Sequence, residues 1–387
     1  MSSEAVYPDS SDPGEQQSVQ IRTIRVIRVP LRAANDQSKI RMSLPRVSII
    51  IVSWNALPLL KQCLPSVVGT DYPNLEIILA DNASTDGSSE WVAATYPAVK
   101  IVRHPENWLF CRGNNAAIPY ATGDYVLLLN NDVETPAAWL HPLVAAMQAD
   151  PTVAAVQPKL LQYDRRDHFE YAGGAGGFLD RLGYPFTRGR VFFTVENDDG
   201  QYDDARDIDW ATGAALLLRR TALDEVGLLD ERFEMHMEEI DLCWRLWRHG
   251  YRVRVEPKSH VYHIGGGSLA QGSMRKVYYN FRNSLLLLYK NLPPSRWRGV
   301  FPLRLLLDGV AMLRALVSGR PRETAAIFRA YRHAHRLRRT YTAERPAAQE
   351  TKAPPSYRGS IAVDYFLRRR RTFSALPPDR FRDKRPP

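Results

Sequence analysis

The sequence predicts an α/β fold built on a mostly parallel, doubly wound sheet. Three observations lead there. From Val47 onward, short apolar runs alternate with stretches of helical periodicity. The runs are nearly continuous in leucine and β-branched residues instead of alternating apolar with polar, as expected of strands covered on both faces. The chain's 387 residues also exceed what one core fills. Single cores stop growing near roughly 250 to 300 residues, so one large domain with an appendage is expected.

In chain order, Val47 to Ser53, Leu75 to Asp81, Val99 to Val102 and Asp124 to Asn130 read as buried strands. Helices are expected near 57–68, 86–95, 112–121 and 137–149. A second stretch, about 155–270, carries the run Gly173-Gly174-Ala175-Gly176-Gly177. That run lacks a GxGxxG register and a following helix start, so it is expected to be a flexible loop over a site and not a phosphate cradle. A strand-like run from Ala214 to Leu218 follows, then a helix near 236–249 that opens with Glu238-Glu239-Ile240-Asp241. Beyond 273 come a helix from Met274 to Asn291, a Pro-Pro break and an apolar segment from Phe301 to Val317. Arg304, Asp308 and Arg314 interrupt that segment, which argues against a spanning helix. With the arginines after it, Arg320, Arg322, Arg329, Arg332, Arg336, Arg338 and Arg339, it reads as an amphipathic surface for anionic lipid. A helix packed on the domain with a solvated basic face is the competing reading.

The expected organisation is therefore a flexible leader over 1–45 and an α/β domain over 46–270, in halves 46–135 and 136–270. A helical, membrane-associating region over 271–345 and a mobile basic tail over 346–387 follow.

Composition narrows the function classes. Hydrophobic and charged fractions of 44% and 24% are ordinary for a soluble protein and exclude both wholesale disorder and a polytopic membrane protein. Cys63, Cys111 and Cys243 are scattered and lack CxxC or Cys/His spacing, so no disulfide framework is expected. A cytoplasmic location, peripheral on the inner face of the cell membrane, fits. The first 45 residues hold no apolar stretch of signal-peptide length, since Arg22, Arg25, Arg28 and Arg32 interrupt the one hydrophobic run. With Met42 just before the first strand, residues 1–41 are expected to be a flexible tail or an over-extended translation start. The net charge of +10 lies mostly after residue 295. No nucleic-acid-binding signature accompanies those arginines, so nucleic acid is not an expected partner.

In parallel α/β sheets ligands sit beyond the carboxyl ends of the strands. The residues there are Ser53-Trp54-Asn55, then Asp81-Asn82-Ala83-Ser84-Thr85-Asp86-Gly87, then Asn130-Asn131-Asp132. An Asx turn or helix cap accounts for the second cluster by itself, but not for amides and carboxylates at all three strand ends.

The ordered set VSIIIVSWN, DNASTDGS, GNNAA, LLLNNDVE, WATGAALLLRR, GLLDERFEMHMEEIDLCWR and VYHIGGGS resembles the family 2 glycosyltransferases with the GT-A fold, especially their rhamnosyltransferase-like branch. The likeness covers about residues 46–290. It implies a single-sugar transfer from a nucleotide-diphosphate sugar, dTDP- or UDP-linked, to a glycan or lipid-linked acceptor hydroxyl, with inversion and a divalent metal, magnesium or manganese. Asp132 matches the last aspartate of the family's DxD-type motif and is the leading metal ligand. His263 completes the metal or diphosphate site. Asn130 offers only a neutral oxygen or a water-mediated contact, as hard cations take oxygen ligands. Asp81 matches the carboxylate that accepts a hydrogen bond from the base, with Ser53, Asn55 and Asn131 lining the nucleotide-sugar pocket. Asn107, Arg112, Gly113 and Asn114 resemble the loop that closes over the donor. Glu238-Glu239-Ile240-Asp241 matches the family's Glu-Asp-x-Asp motif, and the catalytic base falls on Glu239. Glutamate stands there in place of aspartate, and the first helical turn is expected to favour its charged form. Asp241 is expected to pair with Arg245. Trp210 and Gly213 resemble the acceptor-side wall, with a packed core tryptophan as the alternative.

Three rival readings fit the sequence less well. A sugar nucleotidyltransferase would open with a Gly- and Lys-rich phosphate loop where this chain has Ser53-Trp54-Asn55-Ala56-Leu57-Pro58. A processive membrane synthase would carry spanning helices and a Gln-x-x-Arg-Trp motif. A non-catalytic sugar-nucleotide binder would keep Asp81 and lose the Glu239 cluster.

Overall fold

A computed structural model of the chain describes residues 44–265, 273–347 and 353–382. The first half alternates as expected: β1 (Val47–Ser53), α1 (Leu57–Val68), β2 (Leu75–Asp81), α2 (Ser88–Thr95), β3 (Lys100–Arg103), α3 (Leu109–Ala117), β4 (Tyr125–Asn130), β5 (Val133–Glu134) and α4 (Leu140–Ala149). The second half brings β6 (Val153–Gln162), the short strands β7 (Gly177–Leu179), β8 (Pro185–Thr187), β9 (Arg190–Val191), β10 (Thr194–Val195) and β11 (Arg206–Asp207), then β12 (Ala215–Arg219), α5 (Arg220–Val226), α6 (Glu238–Arg248) and β13 (Arg252–His263). Three helices follow, α7 (Met274–Asn291), α8 (Pro294–Val317) and α9 (Pro321–Leu337).

The main sheet runs β11-β13-β6-β12-β4-β1-β2-β3, with β5 on β13. β1 pairs in parallel with β2 and β4, and β13 in parallel with β6, while β12 lies antiparallel between β4 and β6. The sheet is thus mixed and not uniformly parallel. Its uninterrupted apolar strands have a direct cause. In β4, Val126 and Leu128 join the core on one face, and Leu127 and Leu129 the core on the other. Each face is covered by helices, so no position in the strand can be polar without a buried partner.

Two expectations are corrected. The glycine run 173–177 is no open loop: all five residues are buried, and a Cβ on Gly177 would lie 2.1 Å from the Trp210 ring. Gly177 passes directly against that indole, and a Cβ on Gly173, Gly174 or Gly176 would run into Thr212, the Arg188 carbonyl or Ile208. Residues 353–382 do not trail away either. They pack on a second antiparallel sheet, β10-β9-β8-β7, through Tyr357 on Phe186 (centroids 5.6 Å apart) and Phe373 on Phe178 (5.2 Å). Ser356 donates from backbone and hydroxyl to the buried Asp209, and the Ile361 N–H donates to the buried Asp180.

The helical region is bolted to the domain by buried charge. Lys290 on α7 reaches both Asp230 and Asp241 at 2.8 Å, and Asp241 also accepts from Arg245 and Asn291. Burial alone would raise the Asp230 carboxyl, but hydrogen bonds from Arg232 and the Lys290 charge hold it down at about 2. Its folded value is below its ordinary one, so this contribution is present above pH ~4 and fades as pH falls toward 2. Lys290→Met leaves two carboxylates without their shared ammonium and is expected to cost about 3 kcal/mol in urea unfolding at pH 7, shrinking as the acid limb is approached.

Candidate active site

The site forms where β1, β2 and β4 end together. Ser53 sits opposite Asp81 in the β1–β2 register, and Val52 opposite Asn130 in β1–β4. Polar turns that follow these ends are therefore neighbours. Asn131 Nδ2 donates to Ser53 Oγ at 3.2 Å, and the Asn82 N–H donates to the Ser53 carbonyl. Asn55, at φ 47°, ties the first two turns: its N–H donates to Ser84 Oγ and its Oδ1 accepts from the Thr85 N–H at 2.8 Å. Asp81 is buried and already occupied, accepting from the Ser84 N–H (2.9 Å) and Ser89 hydroxyl (2.5 Å). The Asx-turn reading of this cluster thus holds for its geometry, and any base contact must use a remaining lone pair.

β13 returns alongside and delivers His263 opposite Val133, one residue past Asp132. His263 Nε2 stands 3.0 Å from Asp132 Oδ1 and 3.4 Å from Asn130 Nδ2. Its Nδ1 faces Glu170 Oε1 at 3.4 Å, while Glu170 accepts the Ala172 and Gly173 N–H groups. Burial opposes charge on this imidazole, yet the two carboxylates outweigh it and raise His263 to about 10. Glu170 was not singled out from the sequence. Gly266, Gly267 and Ser268, the end of the VYHIGGGS motif, lie outside the described residues. Among the described residues no three His, Cys, Asp or Glu side chains are grouped to hold a metal ion. The Asp132 carboxylate and the Asn130 side-chain oxygen nevertheless suit magnesium or manganese, which commonly complete their shells with substrate phosphate and water, and His263 would join them only as the neutral imidazole, its proton displaced by the cation.

The acidic cluster enters from α6. The chain reaches it through Glu234, His236 and Met237, all at positive φ. Asn283 on α7 holds this strained turn by donating to the carbonyls of Phe233, Met235 and His236 at 2.7–2.8 Å, and Arg282 grips Glu234 at 2.7 Å. Glu239 comes next to Gly213, where an added Cβ would meet Phe110 at 3.2 Å and the Glu239 Cβ at 3.8 Å. Gly213 lies just before Ala214, whose carbonyl accepts from the Asn130 N–H, so Glu239 and the Asn130 cluster flank one turn. Glu238 and Glu239 each keep one carboxylate oxygen with no hydrogen-bond partner. Burial pushes Glu239 up to about 7, and burial and the Glu239 charge push Glu238 well above the ordinary range. Desolvation therefore overrides the helix N-terminus that was expected to favour the charged form.

Several expected site residues do other work. Asp241 is fully buried in the Lys290 network and supports the helix instead of touching a reacting group. Trp210 is 3% exposed, flat on Gly177 with its Nε1–H on the Phe178 carbonyl, which leaves no ring face for an acceptor. Gly113 permits close packing of α3, since a Cβ there would meet Asn82 at 3.0 Å and Val52 at 3.2 Å. Asn114 bonds back to the Phe110 carbonyl, and Asn107 Oδ1 accepts from the Leu109 N–H in a turn just before α3. Arg112 lies over Trp108 at 4.0 Å and 3.7 Å from Glu106, half exposed.

Residues 48–227 match the family model described as Glycosyl transferase family 2. The chain carries a family 2 glycosyltransferase domain. It is 32% identical over 253 residues to an uncharacterized protein, y4gI, of Sinorhizobium fredii, covering 62% of this chain and 27% of that one. It is 26% identical over 286 residues to the N-acetylglucosaminyl-diphospho-decaprenol L-rhamnosyltransferase of Mycobacterium tuberculosis, covering 69% of this chain and 91% of that one. The crystal structure of GalNAc-T7 with UDP, GalNAc and Mn2+ superposes with a TM-score of 0.51 at 18% identity, over 66% of this chain and 49% of the other. That likeness bears on the fold, GT-A, with a helical region after the glycosyltransferase domain. Among the described residues no helix is long and apolar enough to cross a membrane.

The strained turn before α6 yields one prediction. Asn283→Ala removes the amide shared by the Phe233, Met235 and His236 carbonyls, of which Phe233 still accepts from Arg282 and the Met235 N–H, and is expected to cost about 1–3 kcal/mol in unfolding. It should also speed amide exchange at 234–239 while leaving β1 to β4 protected.

Proposed function

We propose that this protein is an inverting glycosyltransferase that moves one sugar from a nucleotide diphosphate to an acceptor hydroxyl, with Glu239 as the base. The observation that carries this is Glu239 itself: a half-buried residue with one enclosed, unpartnered carboxylate oxygen, raised to about 7, beside Gly213 and the turn that leads to Asn130. A base is most effective when its pKa lies near working pH. The acceptor O–H passes its proton to Glu239 as oxygen bonds the anomeric carbon. The opposite bond, to the diphosphate oxygen, breaks and leaves its electron pair there. Asp132, His263 and the Asn130 side-chain oxygen would hold a divalent cation, whose charge offsets that building on the leaving diphosphate. Glu170 fixes the His263 ring by facing its second nitrogen. Ser53, Asn55, Asp81 and Asn131 frame the nucleotide, and Gly213 lets Phe110 and Glu239 draw close together on the acceptor side.

For substrates, the relative matched over most of its length supports a rhamnosyl donor and a lipid-linked acceptor, with dTDP- and UDP-sugars the donors to compare. A donor panel read by nucleotide release, with and without manganese or magnesium, tests the reading, and release from none of them would overturn it.

Glu239→Gln is expected to cut transfer by about 10²–10⁴-fold while donor affinity stays within a factor of about two. Equal loss of both would reassign the residue. Because ionised Glu239 is desolvated, the same variant should be at least as stable as the native chain at pH 8. With burial raising the base, kcat/KM should climb as pH rises to about 7 and level off above it. Glu170→Gln should weaken manganese binding, followed by titration calorimetry in the presence of the nucleoside diphosphate, by about 10–100-fold.

A further inference from the structure

We propose that the outer face of α8, with Phe193, Phe366 and Leu367, is a docking surface for an anionic lipid bilayer. A helix at a water boundary turns charges out and leucines in. α8 does the reverse. Its inward face carries Arg304 and Asp308, paired at 3.0 Å and fully enclosed, with Tyr184 and Tyr331 donating to Asp308 and Arg304 donating to the Leu182 carbonyl and the Ser284 hydroxyl. Its outward face carries Leu303, Leu306, Val310, Leu313 and Val317, exposed by 46, 64, 59, 61 and 80%. Spacings of three, four, three and four residues place these on one stripe, roughly 21 Å long at 1.5 Å per residue.

The stripe does not end with the helix. Arg314 on α8 lies 5.9 Å from the Phe193 ring, Phe193 lies 6.4 Å from Phe366, and Leu367 beside it is 77% exposed. Arg314 thus bridges the helix stripe to a second exposed apolar cluster drawn from two other segments, and together they exceed what scattered surface residues produce.

Charge selects the occupant. Arg314, Arg320 and Arg322 stand exposed at the C-terminal end of the stripe, and Arg369 and Arg371 follow Leu367. The acidic residues between 294 and 345 are Asp308, Glu323 and Glu344, and each is taken, by Arg304, Arg320 and Arg232 respectively. An apolar stripe rimmed by arginine is complementary to acyl chains under anionic headgroups. A second copy of this chain would set the same arginine rim against itself. The surface stands on its own geometry, whatever sugar is moved, and gives a lipid-linked acceptor a place to be met.

The test is flotation of the full chain with vesicles of phosphatidylcholine alone and with an equal part of phosphatidylglycerol. Binding is expected to the anionic vesicles, weaker by about tenfold or more to the neutral ones, and falling with salt. Leu306→Asp with Leu313→Asp should abolish flotation with both. Arg314→Glu with Arg371→Glu should reduce it only with the anionic ones. Unfolding midpoints and nucleotide release with a water-soluble acceptor should match the native chain in both variants, which separates failure of this surface from failure of the transfer reaction. The proposal is overturned if the native chain ignores both vesicles, if the aspartate pair floats as well as the native chain, or if those aspartates instead dissolve a dimer of a chain that binds no vesicle.

Discussion

The arrangement depends on β1 pairing in parallel with β2 on one side and β4 on the other. Parallel strands finish at the same edge, so three turns that are far apart in sequence leave the sheet side by side. Ser53, Asp81 and Asn130 are neighbours for that reason alone. β13 then runs parallel to β6 and carries its last residue to the same rim, where His263 meets Asp132. A one-residue slip of β13 would turn that imidazole to the opposite face.

A second constraint acts from the far side. α6 presents Glu239 from a turn with three residues at positive φ, a conformation that persists only where surrounding contacts impose it. Those contacts come from α7: Asn283 and Arg282 hold the turn, and Lys290 with Asn291 fixes Asp241 one helical step further on. The helical region is therefore part of the site's frame, although it lies outside the matched family domain.

How much could be read from the sequence follows from the range of each interaction. Buried parallel strands leave uninterrupted apolar runs, so β1 to β4 and α1 were legible to within a few residues. The two- and three-residue strands β7 to β10 were not, because too few positions repeat to set a period. Trp210 shows the limit of motif reading: an indole before a strand looks the same in sequence whether it faces a cavity or, as here, a glycine. Glu170, Asn283 and Lys290 were missed for another reason. Their partners are remote, and an ion pair across the fold leaves no local pattern. The Pro- and Arg-rich composition after 346 hid the few residues that matter there, Tyr357, Ile361 and Phe373, each of which enters a core.

Asp180 and Asp209 are fully buried, and each accepts a hydrogen bond from residues between 356 and 361. Burial holds Asp180 up at about 6 even with those donors in place. During synthesis the layer containing β7 and β8 consequently lacks its closing partners until residue 361 has been made, whereas β1 to β4 can pair as soon as they emerge. The order of assembly thus runs from the nucleotide half inward, and a nascent chain stalled before residue 356 would leave both carboxylates without these late donors.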